Sequence, residues 1–165
     1  MITKLETILF CTQLGPNSTM IFRHAVAMAS KFGAKITVLH VRQVLTPQQE
    51  GMVEGYTGKG SLHDVTEREE HVAVDDLHGR VKAFFAADAE VSEADWHRYV
   101  NEIIVMKGNA KKEIVRHIET IKADLVVMGA HRHGLLDLLL GTTTHGVIAK
   151  SKVPVLVVPV PSGKK

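Results

Sequence analysis

Residues 8–41 read ILFCTQLGPNSTMIFRHAVAMASKFGAKITVLHV, and this stretch decides the fold. The short apolar run Ile8–Thr12 predicts a buried strand, and the turn residues at 13–17 end it. The run Lys35–Val41 predicts a second strand. Because a helical pattern lies between these two runs, the stretch forms a strand–helix–strand unit, which is typical of a parallel sheet.

The helix between the two strands carries signals at both of its ends. Asn17 or Ser18 can cap its N-terminus. Apolar residues recur at helical spacing up to Phe32, and Gly33 stands where a helix C-cap belongs. The sequence therefore predicts a helix from Asn17 or Ser18 to about Phe32.

The same alternation continues to the end of the chain. Further strands are predicted at Glu102–Met106, Asp124–Met128 and Val153–Val158, and further helices at 65–87, 110–121 and 142–150. The strands are continuous apolar runs, so both faces of the sheet should be buried. We predict a single α/β domain over residues 1–165, with an open sheet of five parallel strands and helices on both faces. A flexible glycine-rich insertion is predicted at 45–64.

The composition excludes several classes of protein. The chain has 165 residues, of which 45% are hydrophobic and 23% charged, a balance typical of a globular domain. A net charge of +2 is too small to favour nucleic acid binding, and no apolar run is long enough to span a membrane. Cys11 is the only cysteine, which excludes an internal disulfide and a multi-cysteine metal site. Because the first residues do not resemble a signal peptide, we expect a cytoplasmic location.

The predicted fifth strand has the character of an edge strand. It carries Pro154 and is followed by Pro159, and proline belongs at sheet edges and strand ends. An apolar edge strand needs cover, which the same strand of a second subunit would supply. We therefore expect a homodimer that forms through strand 5.

The segment after the fourth strand carries the clearest sign of a ligand site. Ligands on open α/β sheets bind beyond the carboxyl ends of the strands, where residues 11–17, 41–43 and 129–144 should converge. Within the last of these, Gly141 precedes Thr142–Thr144 at the start of a helix, and backbone N–H groups and hydroxyls there can hold phosphate. The alternative is that Gly141 only makes a turn and Thr142 only caps the helix.

Other candidate sites carry weaker signals. His131 and His133 could chelate a metal ion, but such pairs are more often solvated loop residues, and no metal site is predicted. Cys11 would lie near the ligand site, although a lone cysteine in an apolar strand is more often a buried filler than a reactive group. Trp96 and Tyr99 could form a partner surface, with packing over the second helix as the favoured alternative. No catalytic residue is predicted, because no base or nucleophile is placed.

Several segments together resemble the universal stress protein family. They cover nearly the whole chain except residues 45–100, and they are Ile8–Asn17, Phe32–Val41, Ala123–Gly129, Leu138–Thr142 and Val153–Pro159. The resemblance implies a Rossmann-like fold related to the adenine nucleotide alpha hydrolases, and a homodimer. It also implies that many such proteins bind ATP through the motif G-x2-G-x9-G-[S/T] after strand 4.

This chain departs from the ATP motif of the family at two places. Gly129 matches the first glycine and Gly141-Thr142 match the last pair, but Arg132 occupies the position of the second glycine. Eight residues separate Arg132 from Gly141, one fewer than the motif has. After strand 1, Gln13 stands where ATP-binding members carry an aspartate.

The resemblance implies a cytoplasmic sensor or regulator in the stress response that binds ATP or AMP, with Mg²⁺ carried by the nucleotide. The expected ligand-binding residues are Thr12, Gln13, Val41, Met128, Gly129, His131, Arg132, Gly141, Thr142 and Thr143. At most slow ATP hydrolysis is expected, and an unknown protein partner would receive the signal. The alternative is a nucleotide-free dimeric interaction module whose pocket has degenerated.

Overall fold

The fold alternates strands and helices along the chain, and a computed structural model describes residues 4–13, 15, 17–43, 79, 92–131 and 141–160. Over these residues the strands are β1 (Thr7–Cys11), β2 (Lys35–Gln43), β3 (Val100–Gly108), β4 (Leu125–His131) and β5 (Val155–Val160). The helices are α1 (Ser18–Phe32), α2 (Glu93–Tyr99), α3 (Ala110–Thr120) and α4 (Thr142–Lys150). The predicted insertion at 45–64 lies outside the described residues. The predicted helix at 65–87 does so as well, apart from Gly79, which is helical.

The five described strands form one parallel sheet in the order β3-β2-β1-β4-β5. Strand β1 is in the middle of the sheet. Strands β2 and β3 lie on one side of it, and β4 and β5 lie on the other. The direction of winding therefore reverses between β1 and β4, which is the point where open α/β sheets bind ligands. This confirms the predicted open parallel sheet, with β5 at one edge.

Helices cover both faces of the sheet, as the continuous apolar strands predicted. Alternate residues of β1 point to opposite faces: Ile8 and Phe10 pack in the core beneath α1, and Leu9 and Cys11 pack in the core beneath α3 and α4. Ile8 and Leu9 are both fully buried. The central strand is thus covered on both sides.

Helix α1 begins and ends where the sequence predicted. It starts at Ser18, and Gly33 ends it with a φ of 69° while donating its backbone N–H to the carbonyl of Ala29. A positive φ favours glycine, which explains this C-cap. Within the described ranges no helix is long and apolar enough to cross a membrane.

Two strands begin later than predicted because neighbouring side chains hold the backbone in turns. Strand β5 begins at Val155 rather than Val153, since the Ser151 hydroxyl donates to the Val153 carbonyl at 2.7 Å and accepts from the Val153 N–H at 3.2 Å. Strand β4 begins at Leu125 rather than Asp124, whose carboxylate accepts from the backbone N–H groups of Glu6 and Thr7. The Asp124 contacts tie the start of β4 to the start of β1, whereas the Ser151 contacts are local to the turn before β5.

Helix α2 was not predicted, although its N-terminus carries a capping signal. Ser92 and Asp95 form a reciprocal capping box, and the hydrogen bonds from Ser92 lower the pKa of the Asp95 carboxyl. Tyr99 is buried, and the half-buried Trp96 packs on Phe22 of α1 with ring centroids 5.7 Å apart. These aromatic residues belong to the core and pack on α1, and the second predicted helix, at 65–87, lies outside the described residues apart from Gly79.

Gly129 occupies a position on β4 at which a side chain would have little room. A Cβ there would overlap Cδ1 of Ile21 on α1 and would lie 3.2 Å from Cγ2 of Val160 on β5. Gly129 also pairs in register with Val158. The glycine therefore allows α1 to approach the sheet closely where β4 and β5 lie side by side.

Gly129→Ala is expected to lower the free energy of unfolding by about 1–3 kcal/mol, because the new methyl group overfills a packed core. Ile21→Val alone should cost about 0.5–1.5 kcal/mol, because it removes the Cδ1 methyl group. In the double variant the decrease in the free energy of unfolding should be smaller than the sum of the two single decreases, since the valine at position 21 leaves the space that the alanine at position 129 needs.

Urea denaturation of these three variants and the wild type measures the coupling between the two positions. Gly79→Ala is the control, because a Cβ on that exposed helical glycine meets nothing within 4 Å. Strictly additive losses at positions 21 and 129 would contradict the packing role of Gly129.

Candidate functional site

A cavity of about 450 Å³ opens at the carboxyl ends of β1, β2 and β4. It therefore lies at the reversal of winding between β1 and β4, where the sequence predicts a ligand site. The predicted site residues that line it are Thr12, Gln13, Val41, Met128, Gly129 and Thr143. This volume falls within the range of about 300–1,000 Å³ typical of pockets for small ligands.

The remaining predicted site residues have different positions. Gly141 and Thr142 immediately precede the cavity residue Thr143 at the start of α4, but they are not part of the lining. His131 is the last residue of β4, and its side chain is outside the described part of the structure. Arg132 also lies outside the described residues.

The N-termini of α1 and α4 both face this cavity without a side-chain cap. Asn17 and Gly141 are the two N-cap residues, and neither makes a side-chain capping hydrogen bond. Neither helix has an acidic residue in its first turn. The partial positive charge of these helix ends is therefore not neutralised by local carboxylates, which is what an anion site requires.

Helix α3 provides a contrast at the same cavity. Its first residue, Ala110, lines the cavity, but the Asn109 side chain accepts from the Lys112 N–H at 3.1 Å and so caps the helix. Glu113 also lies in its first turn. The end of α3 thus already has its own acceptor and its own carboxylate, and it offers the cavity mainly the apolar side chain of Ile114.

A hydrogen-bond chain shapes the wall between β1 and α1. The buried His40 ring lies with Nδ1 2.9 Å from the Thr12 carbonyl oxygen, and the Thr12 hydroxyl donates to the Ser18 hydroxyl at 3.0 Å. Because a carbonyl oxygen can only accept, the proton of this contact is on Nδ1. The Thr12 N–H in turn donates to the Leu39 carbonyl at 3.0 Å. These contacts fix the turn that carries Gln13 into the cavity lining.

The expected ligand-binding residues did not include Ser18, His40 and Thr144, which also shape this site. Ser18 and His40 line the cavity. The buried Thr144 donates its hydroxyl to the Gly129 carbonyl at 3.3 Å. Thr144 could have been predicted, because it belongs to a run of three threonines at the start of a helix. His40 could not, because a histidine inside an apolar strand gives the same sequence pattern in a core as in a site.

Side-chain charge in the lining is sparse and contains no carboxylate among the described residues. Arg42 contributes the cationic side chain, and Gln13 contributes a neutral amide. In the part of the chain that the structure describes, no group of three or more His, Cys, Asp or Glu residues is arranged to hold a metal ion. The described lining is therefore suited to an anion more than to a free cation.

Comparison with known proteins identifies the family of the chain. The family model described as the universal stress protein family matches residues 4–159. The chain belongs to the universal stress protein family. A universal stress protein of Methanocaldococcus jannaschii is 28% identical over 154 residues, covering 93% of this chain and 94% of that protein.

Solved structures of universal stress proteins share the fold of this chain. The universal stress protein UspA from Lactobacillus plantarum aligns with a TM-score of 0.66 at 20% identity, over 95% of this chain and 99% of that one. A universal stress protein crystallised in complex with cAMP aligns with a TM-score of 0.54 at 19% identity, over 94% of this chain and 98% of that one. At these identities the likeness establishes the fold alone.

The single cysteine of this universal stress protein lies at the cavity but is not an activated nucleophile. Cys11 is only 8% exposed, and burial raises the pKa of its thiol above the ordinary value. The thiol therefore remains protonated at neutral pH, and the thiolate is the reactive form. This favours the sequence-based interpretation of Cys11 as a buried filler.

Iodoacetamide should alkylate Cys11 at least about a hundredfold more slowly in the folded protein than in the urea-unfolded chain at the same neutral pH. Because the pKa is raised, the rate in the folded protein should continue to rise with pH above the range where an ordinary thiol is fully ionised. Mass spectrometry of timed samples measures both rates. Equal rates in the folded and unfolded proteins would contradict an inert Cys11.

Proposed function

We propose that this universal stress protein binds an adenine nucleotide, ATP or AMP, and acts as a sensor or regulator in the stress response. The observation that carries the proposal is the cavity at the β1–β4 reversal, which the uncapped N-termini of α1 and α4 both face. Helix N-termini of α/β proteins commonly bind phosphate groups. A relative of the same fold was crystallised with cAMP, which supports an adenine ligand.

The two sides of the cavity differ in a way that suits a nucleotide. Leu39, Val41, Ile114 and Met128 supply apolar side chains from β2, α3 and β4, which can hold a purine ring. Ser18 and Thr143 add hydroxyls at the ends of α1 and α4. We therefore place the base toward β2 and α3, and the phosphates toward α1 and α4.

Gln13 determines which contacts the cavity could make with the ribose of a nucleotide and with its magnesium ion. Its amide can hydrogen-bond a ribose hydroxyl or an adenine edge, but it brings no negative charge. Because the described lining has no carboxylate, a magnesium ion would enter with the nucleotide phosphates rather than bind the protein directly. The neutral wall also leaves the phosphates without a nearby repelling charge.

We also propose that the protein associates with a second copy of itself through β5. Among the described residues this strand is at the sheet edge and pairs with β4 alone, so within that part of the chain its other side has no strand partner for its backbone donors and acceptors. Val155, Leu156 and Val157 are only partly buried, and Ile148 on α4 is 42% exposed. Pairing of two β5 strands would cover this edge.

Calorimetric titration of nucleotide-free protein with ATP, ADP and AMP, with and without magnesium, tests ligand binding. Micromolar binding, with a matching rise in melting temperature, is the expected result. Absence of heat and an unchanged melting temperature would contradict the proposal. The protein would then be a nucleotide-free interaction module.

Gly141→Val should abolish ATP binding while the protein stays folded. A Cβ at Gly141 meets nothing within 4 Å, and the φ of −56° suits any residue, so the loss would come from the blocked approach of the ligand. Unchanged affinity would contradict this location for the phosphates.

Gly141→Asp and Gly141→Asn separate charge from size at the same position. Both residues are good N-caps of similar shape, so both should preserve or raise the melting temperature. Aspartate adds a negative charge beside the phosphates, so it should weaken ATP binding at least about tenfold more than asparagine does. Equal affinities for the two variants would show that no phosphate lies at this helix end.

Val157→Lys should convert the dimer to a monomer, because a lysine on an edge strand opposes strand pairing. Asn101→Lys is the matched control, since Asn101 is exposed on β3 at the opposite edge of the sheet. Light scattering after size-exclusion chromatography measures the mass of each protein. A monomeric wild type, or a dimer that persists in Val157→Lys, would contradict association through β5.

A further inference from the structure

The hydrogen bond between Thr144 and Gly129 joins the start of α4 to the end of β4. We propose that Thr144 is a positioning residue, which holds the N-terminus of α4 at the phosphate end of the cavity without touching the ligand itself. The inference rests on the proposed function, because it concerns the geometry of the same site.

The threonines of the first turn of α4 have separate environments. Thr142 is exposed, Thr143 lines the cavity, and Thr144 is 5% exposed with its hydroxyl directed to the Gly129 carbonyl oxygen at 3.3 Å. Thr144 is thus turned toward the sheet while its neighbour faces the ligand space. A change in the Thr144 hydroxyl therefore acts on the ligand only through the helix.

Two other contacts hold Gly129, whose carbonyl oxygen accepts this hydrogen bond. Gly129 pairs in register with Val158 of β5, and Ile21 of α1 packs against the position where a Cβ would be. Because Gly129 belongs to a paired strand and packs against α1, the bond should restrain α4 relative to the sheet rather than the reverse. It also spans fifteen positions along the chain, so it closes a long interval between β4 and α4.

A second contact holds α4 two residues further along. Gly146 packs against the side-chain stem of Lys111, because a Cβ at Gly146 would lie 2.9 Å from Cγ of Lys111. This contact and the fully buried Val147 hold the body of α4 against α3 and the core. Loss of the Thr144 hydroxyl should therefore loosen the N-terminus while the rest of α4 stays packed.

The test compares Thr144→Val and Thr144→Ser by calorimetry with ATP and with adenosine. Valine keeps the shape of the side chain but removes the hydroxyl, and it leaves the Gly129 carbonyl without this donor. Thr144→Val should weaken ATP binding about tenfold and leave adenosine binding unchanged, because only the phosphates contact α4. Thr144→Ser should retain the affinity of the wild type for ATP.

Thr120→Val is the matched control for loss of a threonine hydroxyl. Thr120 also donates to a backbone carbonyl, that of Arg116 at 3.0 Å, but it is exposed at the end of α3 and is not part of the cavity lining. The affinities of the Thr120→Val variant for ATP and adenosine should equal those of the wild type. If Thr144→Val lowered the affinities for ATP and for adenosine equally, the inference would be overturned, since that result indicates a general structural role.

Hydrogen exchange in the unliganded protein provides a readout that does not depend on nucleotide binding. The His145 amide, which donates to the Gly141 carbonyl at 2.9 Å, should exchange faster in Thr144→Val, with no change in β5. Unchanged exchange at His145 would overturn the inference even where the wild type binds ATP. If the wild type binds neither ATP nor adenosine, the proposed function fails, and the inference fails with it.

Discussion

The parallel pairing of β1 with β4 is the constraint on which the rest of the structure depends. The register Ile8↔Leu125 to Cys11↔Met128 places the carboxyl ends of the two strands side by side. Because the chain leaves β1 toward one edge and β4 toward the other, their following helices diverge and leave a space between them. The cavity is therefore a consequence of strand order, and residues at the ends of β1 and β4 line it together with residues of β2 and α3.

The two glycines that match the family motif have different physical roles in this chain. Gly129 lies in a crowded position against Ile21, so its lack of a side chain is required by packing whether or not a ligand binds. Gly141 lies in open space at the start of α4, so nothing in the described packing requires a glycine there. Agreement with the motif at position 129 is therefore weak evidence for phosphate binding, whereas agreement at position 141 is stronger evidence.

The fold could be predicted from the sequence because its signals are local, and part of the site could not because its signals are not. Continuous apolar runs and the C-cap at Gly33 predicted the strands and α1, since period and capping act within a few residues. The contacts of His40 with Thr12 and of Thr144 with Gly129 join residues distant in the chain, so they appear only once the strands are in register. Helix α2 had a local signal in Ser92 and Asp95, but its brevity gave no clear helical period.

The distribution of charge around the cavity would favour an anion although few cationic side chains line it. Helix α3 carries its own cap from Asn109 and its own carboxylate at Glu113, so its positive end is already compensated. Helices α1 and α4 have neither feature, so their dipoles act on the cavity without local compensation. Gln13 is neutral and Arg42 is cationic, so the described lining has no negative side chain to oppose these dipoles. A site built from backbone groups in this way depends on how accurately the helix ends are placed, and that placement comes from buried contacts outside the cavity.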